Sequence, residues 1–339
     1  MNNMNNFEKS PPQFDRKKYK WIVVDGQGLF VQGLWGQEPI VTKDGLWTGG
    51  VWGISNYLRL LLHIVPGKWK LLWTWDSTSG GGKRVEIEPN YKIKRRTEKK
   101  DDWKIQGIPM NGKNWDTTIE AARSFISLTG TTQFFSKGWE GDDILATLVK
   151  RLNKRKDGRI LVVSRDHDLF QTLDSNVDML RLGGKVPEIW TKEYFLWKRT
   201  FPPKAYSDFL AIKGDPTDEI PGVKGIGDIW AQKIMSESRT ASLKGVYETL
   251  DDNGFDGVIP ERQIKLLTQG RTEAWRWREV SRLRKNLKLS MIEGKHSEHD
   301  LEIMLKTKPF MGSRKFLKNW QKRRKNFEKN ICKKQKEKK

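Results

Sequence analysis

Three strand-like runs in this chain end on aspartate, and that recurrence narrows the fold more than any other feature. Lys20-Trp21-Ile22-Val23-Val24 runs into Asp25-Gly26, Trp69 to Trp75 into Asp76, and Arg159 to Ser164 into Asp166-His167-Asp168. Continuous apolar runs of this length, bounded by turns, read as parallel strands covered on both faces. Between the first two lies Val51 to Leu62, with apolar residues at helical spacing and a stop at Pro66-Gly67. Strand, helix, strand, helix, strand predicts an α/β domain with a central, mostly parallel sheet and flanking helices. Such sheets bind ligands at the carboxyl ends of their strands, where Asp25, Asp76, Asp166 and Asp168 fall.

A second group of carboxylates opens a helix. Glu140-Gly141-Asp142-Asp143 precedes Ile144, Leu145, Leu148, Val149 and Leu152, which are apolar at helical spacing. Taken alone, such a string is an acidic helix N-terminus, where the macrodipole stabilises each charge by only about 0.3–1 kcal/mol. That does not hold three like charges together, whereas a divalent cation with hard oxygen ligands does. With the strand-end aspartates, the set predicts an all-oxygen pocket for two Mg²⁺ or Mn²⁺ ions about 3.5–4 Å apart. Zinc is disfavoured, since Cys332 is the only cysteine and the four histidines form no H-x-x-x-H pair. His167, between Asp166 and Asp168, is expected by strand alternation to point away from the site.

The net charge of +22 over 339 residues asks for a polyanionic partner, nucleic acid or an anionic membrane surface. No apolar run approaches the roughly 20 residues of a membrane span, and Met1 to Ser10 has no signal-peptide core. A reduced, cytoplasmic protein with no membrane partner is therefore expected. Residues 77–110 concentrate positive charge after a glycine-rich start, with Arg84, Lys92, Arg95, Arg96, Lys99, Lys100 and Lys104. They are expected to form a mobile basic arch over the site, contacting phosphate, with Tyr91 and Trp103 available for base stacking. From Lys308 onward there are fourteen Lys and Arg against Glu328 and Glu337. That tail reads equally as a non-specific nucleic-acid contact or as a solvated end.

Residues 214–227 read GDPTDEIPGVKGIG and lead into a helix at Asp228 to Ile234. Asp215 and Asp218 add two carboxylates. Gly222-Val223-Lys224-Gly225-Ile226-Gly227 has the form of the hairpin in helix-hairpin-helix DNA-binding elements, whose glycines let backbone amides approach a phosphate. A packing hairpin between helices is the plainer reading. No strand precedes the string, so a dinucleotide fold is excluded. The expected organisation is a flexible N-terminus at 1–17, an α/β domain at 18–200 carrying the arch, a helix-hairpin-helix region with C-terminal helices at 201–305, and a basic tail at 306–339.

These motifs, in order and spacing, resemble the 5′-nuclease family: the 5′→3′ exonuclease domain of bacterial DNA polymerase I, the phage 5′ exonucleases and the flap endonucleases. The resemblance covers roughly residues 20 to 240. It rests on Asp25-Gly26, Thr48-Gly49-Gly50-Val51-Trp52-Gly53 with Asp76, Arg84-x4-Pro89-x-Tyr91-Lys92-x2-Arg95, Glu140-Gly141-Asp142-Asp143 with Ser164-x-Asp166-x-Asp168, and the 214–227 string. It implies a PIN-like 5′-nuclease fold in which Asp25, Asp76, Glu140 and Asp142 hold one metal. Asp166, Asp168, Asp215 and Asp218 would shape the second site, with Asp143 acting directly or through water. Lys92, with Arg84 and Arg95, would steady the scissile phosphate. Tyr91, Arg96 and the 222–227 hairpin would contact DNA, the hairpin holding K⁺ through backbone carbonyls. Glu219 stands where the family usually has Asn, an extra carboxylate expected to alter local contacts without abolishing metal binding.

The implied activity is two-metal hydrolysis leaving 5′-phosphates on DNA with free 5′ ends or flaps, extending to RNA primers in RNA/DNA hybrids. A monomeric, free-standing phage replication or recombination nuclease in a bacterial host is the expected setting. Two other readings stand against it. A PIN-like metal-dependent ribonuclease is opposed by the hairpin, and a non-catalytic binder of branched DNA by the full carboxylate set.

Overall fold

The computed structural model describes residues 19–35, 49–65, 67–77, 82–94, 104–105, 108–109, 112–182 and 187–306. Arg95, Arg96, Trp103, the 1–17 segment and the basic tail beyond residue 306 lie outside them. The expected α/β architecture with mostly parallel strands is present.

Strand β1 (Tyr19–Asp25) is buried along nearly its whole length, as a strand covered on both faces must be. Helix α1 (Gly26–Trp35) follows without a loop, and α2 (Gly49–Ile64) packs on it where two glycines meet. A Cβ on Gly53 would stand 2.2 Å from the Gly33 Cα, so neither position admits a side chain. Strand β2 (Lys70–Thr74) lies parallel to β1, Asp25 opposite Thr74. After α3 (Gly82–Ile87) come a short antiparallel pair, β3 (Lys104–Ile105) and β4 (Ile108–Pro109), then α4 (Gly112–Leu128). Strand β5 (Thr132–Phe135) is parallel to β2. Helix α5 (Gly141–Arg155) buries the predicted face, Ile144, Leu145, Leu148, Val149 and Leu152. Strand β6 (Arg159–Val163) gives way to a 3₁₀ turn (His167–Thr172) and pairs in parallel with β7 (Val177–Arg181). The short β8 (Glu188–Trp190) returns antiparallel to β7. The remainder is α6 (Lys192–Arg199), α7 (Tyr206–Lys213), α8 (Asp228–Glu237), α9 (Leu243–Asp251), α10 (Glu261–Gln269), α11 (Arg271–Ser281), β9 (Ser290–Glu293) and α12 (Glu298–Lys306).

These elements fall into two compact units. The first holds the described residues of 19–75, 104–134 and 290–306. Its core is built around Phe30, Trp73, Trp75 and Phe125, all fully buried, and the Arg123 guanidinium lies 5.1 Å over the Trp75 ring. The second holds the described residues of 76–94 and 135–289. Its core is aromatic. Phe170 from the 3₁₀ turn meets Trp190, Phe195 and Tyr206 at ring-centroid distances of 4.5, 5.4 and 5.5 Å. That packing fastens α6 and α7 to the β6–β7–β8 strands, which places the segment after α7 near the carboxyl end of β6. No helix among the described residues is long and apolar enough to cross a membrane.

Candidate active site

Helix α5 is capped from a distance. Its N-cap residue Glu140 is extended and makes no side-chain cap bond; instead the Gly141 amide donates to Asp76 Oδ1 at 2.5 Å. A carboxylate at a helix N-terminus answers both an orphan N–H and the dipole. The strand-end Asp76 therefore keeps the first turn in place while the Glu140 side chain is left to other partners.

Those partners come from α3 and the turn that follows it. The Arg84 guanidinium is buried and donates to Asp143 Oδ2 at 2.5 Å and Oδ1 at 2.8 Å, to Glu140 Oε2 at 2.6 Å and, through Nε, to the Val280 carbonyl at 2.8 Å. Asp143, wholly buried, also accepts from the Arg284 amide at 2.7 Å. Arg84 is thus not the phosphate-facing arch residue expected from the sequence. Its donors are turned inward on carboxylates that need a counter-charge, and both Asp143 oxygens are taken by protein donors.

Tyr91 also departs from the base-stacking role foreseen for it. Its ring is 2% exposed and its hydroxyl lies 3.0 Å from Glu140 Oε2 and 3.1 Å from Asp218 Oδ2, donating to one at a time. Lys92 then completes the centre. Its ammonium is 2.8 Å from Glu140 Oε1, 3.4 Å from Asp218 Oδ2 and 4.8 Å from the Tyr91 ring centroid. The residue holds a left-handed backbone, φ +51°, a conformation uncommon for lysine and costly unless its surroundings impose it. Arg84, Glu88 and Tyr91 of the arch are accordingly packed rather than free. Glu88, 2% exposed, is paired with Arg276 of α11, and its Oε1 accepts from the Asn90 amide at 2.9 Å.

Burial works against the charge on Glu140, but Lys92 and Arg84 outweigh it and hold the carboxyl down to about 2. Burial likewise disfavours the Lys92 ammonium, and Glu140, Tyr91 and Asp218 overcome it, raising its pKa well above the usual lysine value. The strand-end pair behaves oppositely. Asp166 caps the 3₁₀ turn, its Oδ1 accepting from the Asp168 amide at 2.8 Å, while its own amide donates to Ser164 Oγ at 3.0 Å. Surrounding protein, then mutual repulsion with Asp218 and Asp215, lifts both carboxyls, Asp168 well above the ordinary range. Five carboxylates, Glu140, Asp166, Asp168, Asp215 and Asp218, thus share one electrostatic neighbourhood with Lys92. Among the described residues no group of three or more Asp, Glu, His or Cys side chains is arranged to hold a metal ion.

Asp215 and Asp218 are presented by a tight loop after α7. Asp215 and Ile220 exchange backbone hydrogen bonds of 2.7 and 2.9 Å, and Asp215 Oδ1 accepts from the Thr217 amide at 2.8 Å. The loop closes on itself at Gly222, φ +67°, where a Cβ would lie 2.3 Å from the Gly214 nitrogen. In the hairpin that follows, Val223 and Ile226 are each 3% exposed, so these expected DNA-contacting side chains serve the core. Exposed there are Lys224, Gly225 and Gly227, with α8 beginning at Asp228.

Asp142 lies half-buried in the first turn of α5. In the other unit, Asp25 ends β1 and its Oδ1 accepts from the Gly28 amide at 2.8 Å at the start of α1. His167 stacks on Phe170, with centroids 5.2 Å apart. Its backbone is a 3₁₀ turn, so strand alternation does not govern it. Surrounding protein and then Arg181, Arg199 and Lys213 push the imidazole down to about 4, leaving it neutral at pH 7.

The sequence reading missed α11 and the segment after it. Beyond Arg276 and the Val280 carbonyl, Arg278 pairs with the buried Asp208 of α7. Residues 281–288 then run along α5 and the 3₁₀ turn, Thr147 Oγ1 donating to the Arg284 carbonyl at 3.2 Å and Lys285 to the Gln171 carbonyl at 2.7 Å. The only trace in sequence is an alternation of arginines, Arg276, Arg278, Arg282 and Arg284, which by itself reads as a solvated helix.

The chain matches the family models for the 5′-3′ exonuclease N-terminal resolvase-like domain over residues 20–199 and the 5′-3′ exonuclease C-terminal SAM fold over residues 201–301. It is 29% identical to DNA polymerase I of Mycobacterium tuberculosis over 247 residues, covering 71% of this chain and 25% of the polymerase. To a 5′-3′ exonuclease of Aquifex aeolicus it is 27% identical over 217 residues, covering 63% of this chain and 68% of that one. The chain spans about a quarter to a third of the length of the polymerases it matches. Among solved structures, the zinc-bound T5 5′-exonuclease superposes with a TM-score of 0.59 at 18% identity, covering 89% of this chain and 98% of that one. Flap endonuclease-1 from Methanococcus jannaschii gives 0.57 at 16%, covering 92% and 94%. At such identities the likeness is one of fold.

Proposed function

The chain belongs to the 5′-3′ exonuclease family, and we propose that it is a structure-specific 5′ nuclease, hydrolysing DNA at free 5′ ends and at flaps to leave 5′-phosphates. One observation carries the reading: the Lys92 ammonium stands 2.8 Å from Glu140 and 3.4 Å from Asp218, and Asp166 and Asp168 feel the charges of that lysine and of Asp218 and Asp215.

The donor chemistry fits divalent ions. It is all oxygen, it holds more negative charge than its surroundings neutralise at Asp166 and Asp168, and a cationic group already stands between Glu140 and Asp218. Glu140 and Asp142, with Asp76 assigned by motif, would hold one ion, and Asp166, Asp168, Asp215 and Asp218 the other. Mg²⁺ or Mn²⁺ suits hard oxygen ligands. Bound there, such ions lower the pKa of a water and stabilise charge on the attacking and leaving oxygens.

The protein's own part is positional. Asp76 fixes the first turn of α5, and with it Glu140 and Asp142. Asp143 is a positioning residue in this reading, anchored by Arg84 and the Arg284 amide. Lys92 supplies a positive charge to the phosphate in the transition state. The neutral, stacked His167 is not required as a base. Lys224 and the backbone amides about Gly225 and Gly227 would grip phosphates of the duplex, which gives affinity without base readout. Arg95, Arg96, K⁺ at the 222–227 hairpin, action on RNA in hybrids, a monomeric state and work in a bacterial host's cytoplasm complete the proposal on the family resemblance.

The test is cleavage of a 5′-labelled flap in Mg²⁺, beside EDTA and an Asp142→Asn variant. Short 5′-phosphate products lost in both controls are expected. Intact flaps with tight binding retained would overturn the DNA nuclease reading, and cleavage of RNA loops in preference to flaps would replace it with a ribonuclease.

A further inference from the structure

The loop that carries Asp215 and Asp218 has a second non-glycine residue of the site in the left-handed region. Glu219 has φ +59°, and Lys92 has φ +51°. Left-handed backbone is readily taken by glycine and, among other residues, by asparagine and aspartate; glutamate has no such preference. Glu219 is nevertheless well placed. Its side chain is 16% exposed, its Oε2 accepts from the Lys94 amide at 3.1 Å, and its Oε1 lies 3.8 Å from the Lys94 ammonium.

The neighbouring contacts make this bond part of a matched set. Residues 91, 92 and 94 meet residues 218 and 219: the Tyr91 hydroxyl and the Lys92 ammonium reach Asp218 at 3.1 and 3.4 Å, and the Lys94 amide reaches Glu219. The Lys94 ammonium is 82% exposed, so its attraction to Glu219 is screened and contributes little. The amide bond is the firm link. It fixes the backbone two residues beyond Lys92, where a left-handed turn must be kept if the ammonium is to face Glu140 and Asp218.

We propose that Glu219 is a positioning residue for Lys92: by binding the Lys94 amide it clasps the 91–94 turn to the Asp215–Ile220 loop and aims the lysine at the acidic centre. The inference rests on the nuclease reading for what Lys92 does, but the clasp itself is testable without cleavage. Because the amide needs an acceptor at that reach and not a negative charge, Glu219→Gln keeps the clasp. Glu219→Asn is a methylene too short to reach Lys94, yet is at ease in the left-handed region, so it separates loss of the clasp from backbone strain.

The experiment is amide hydrogen exchange over residues 88–94 of the full chain in EDTA, with flap-cleavage kinetics in Mg²⁺ on the same preparations. Glu219→Ala and Glu219→Asn are expected to speed exchange at 92–94 at least tenfold, leave α5 unchanged, and lower kcat about 10–100-fold at unchanged KM. Glu219→Gln is expected to match wild type in both. Exchange at 92–94 unaltered in Glu219→Asn would overturn the proposal, as would Gln behaving like Ala. Wild type that cuts no flap would sink the nuclease reading alone, and the exchange result would still decide the clasp.

Discussion

The guanidinium of Arg84 spans both oxygens of Asp143, at 2.5 and 2.8 Å, in the interior of the protein. Planar, two-pronged geometry of this kind is what arginine offers and lysine does not. The pair joins α3 to the first turn of α5, and through the Val280 carbonyl and the Arg284 amide to the chain leaving α11.

Removing either partner strands a buried charge. Arg84→Ala is expected to lower stability by about 3–5 kcal/mol, and Arg84→Lys to recover only part of it. Urea denaturation followed by circular dichroism checks this. If Arg84→Ala unfolds at the wild-type midpoint and only cleavage suffers, Arg84 is a phosphate ligand after all.

Glu140 supplies a pH signature. Its carboxyl is held down to about 2 in the fold, against an ordinary value of 4.5. A depressed acid contributes stability in full above its unfolded pKa and loses it as pH falls through the folded one. Glu140→Gln should therefore be less stable than wild type at pH 7, with the gap closing between about pH 4.5 and 2. Urea midpoints at several pH values would show this; a gap constant down to pH 2 contradicts it.

Asp168 carries the opposite sign. Its carboxyl is raised by burial and then by Asp166, Asp218 and Asp215, so the folded state binds its proton more tightly than the unfolded chain. The resulting stability is present at low pH and lost as pH rises through the folded value. In EDTA at pH 7, Asp168→Asn should unfold later than wild type by on the order of 1 kcal/mol, the sign expected when a repelled charge is relieved. The advantage should vanish near pH 3. A lower thermal midpoint for the variant at pH 7 would show that the acidic cluster is not under repulsion.

Lys92→Met removes the central cation. Flap cleavage should fall about 10²–10³-fold in kcat, with flap affinity in Ca²⁺ nearly unchanged because the proposed phosphate contacts at Lys224, Gly225 and Gly227 remain. Steady-state kinetics beside a binding titration separates the two. Loss confined to affinity would make Lys92 a docking residue only.

Gly222→Ala tests the hairpin. The position is left-handed and its Cβ would stand 2.3 Å from the Gly214 nitrogen, so about 1–3 kcal/mol of strain is expected. Duplex affinity should fall with it. A variant that melts with wild type would mean the loop has an easier alternative path.

Much of this molecule is legible locally. The apolar run into Asp25 and the face Ile144 to Leu152 were both visible because a strand repeats every two residues and a helix every 3.6. Helix α1 was not visible, since Gly26 and Gly28 read as a turn after the strand and only packing makes them helical. Strands β7 and β8 and helix α4 were passed over because their polar residues break the alternation that a lone strand or helix would need.

The sequence by itself determined the class of fold and marked the acidic residues as candidates, because strand ends, turn glycines and carboxylate spacing are short-range facts. Tertiary structure alone decided which basic residues look outward. Arg84 and Val280 are 196 residues apart and Arg284 and Asp143 are 141 apart, so no local pattern marks them as partners. An arginine in a basic run is a phosphate ligand or a buried counter-ion according to what is packed against it, and burial, with its desolvation cost, is a property of the whole chain.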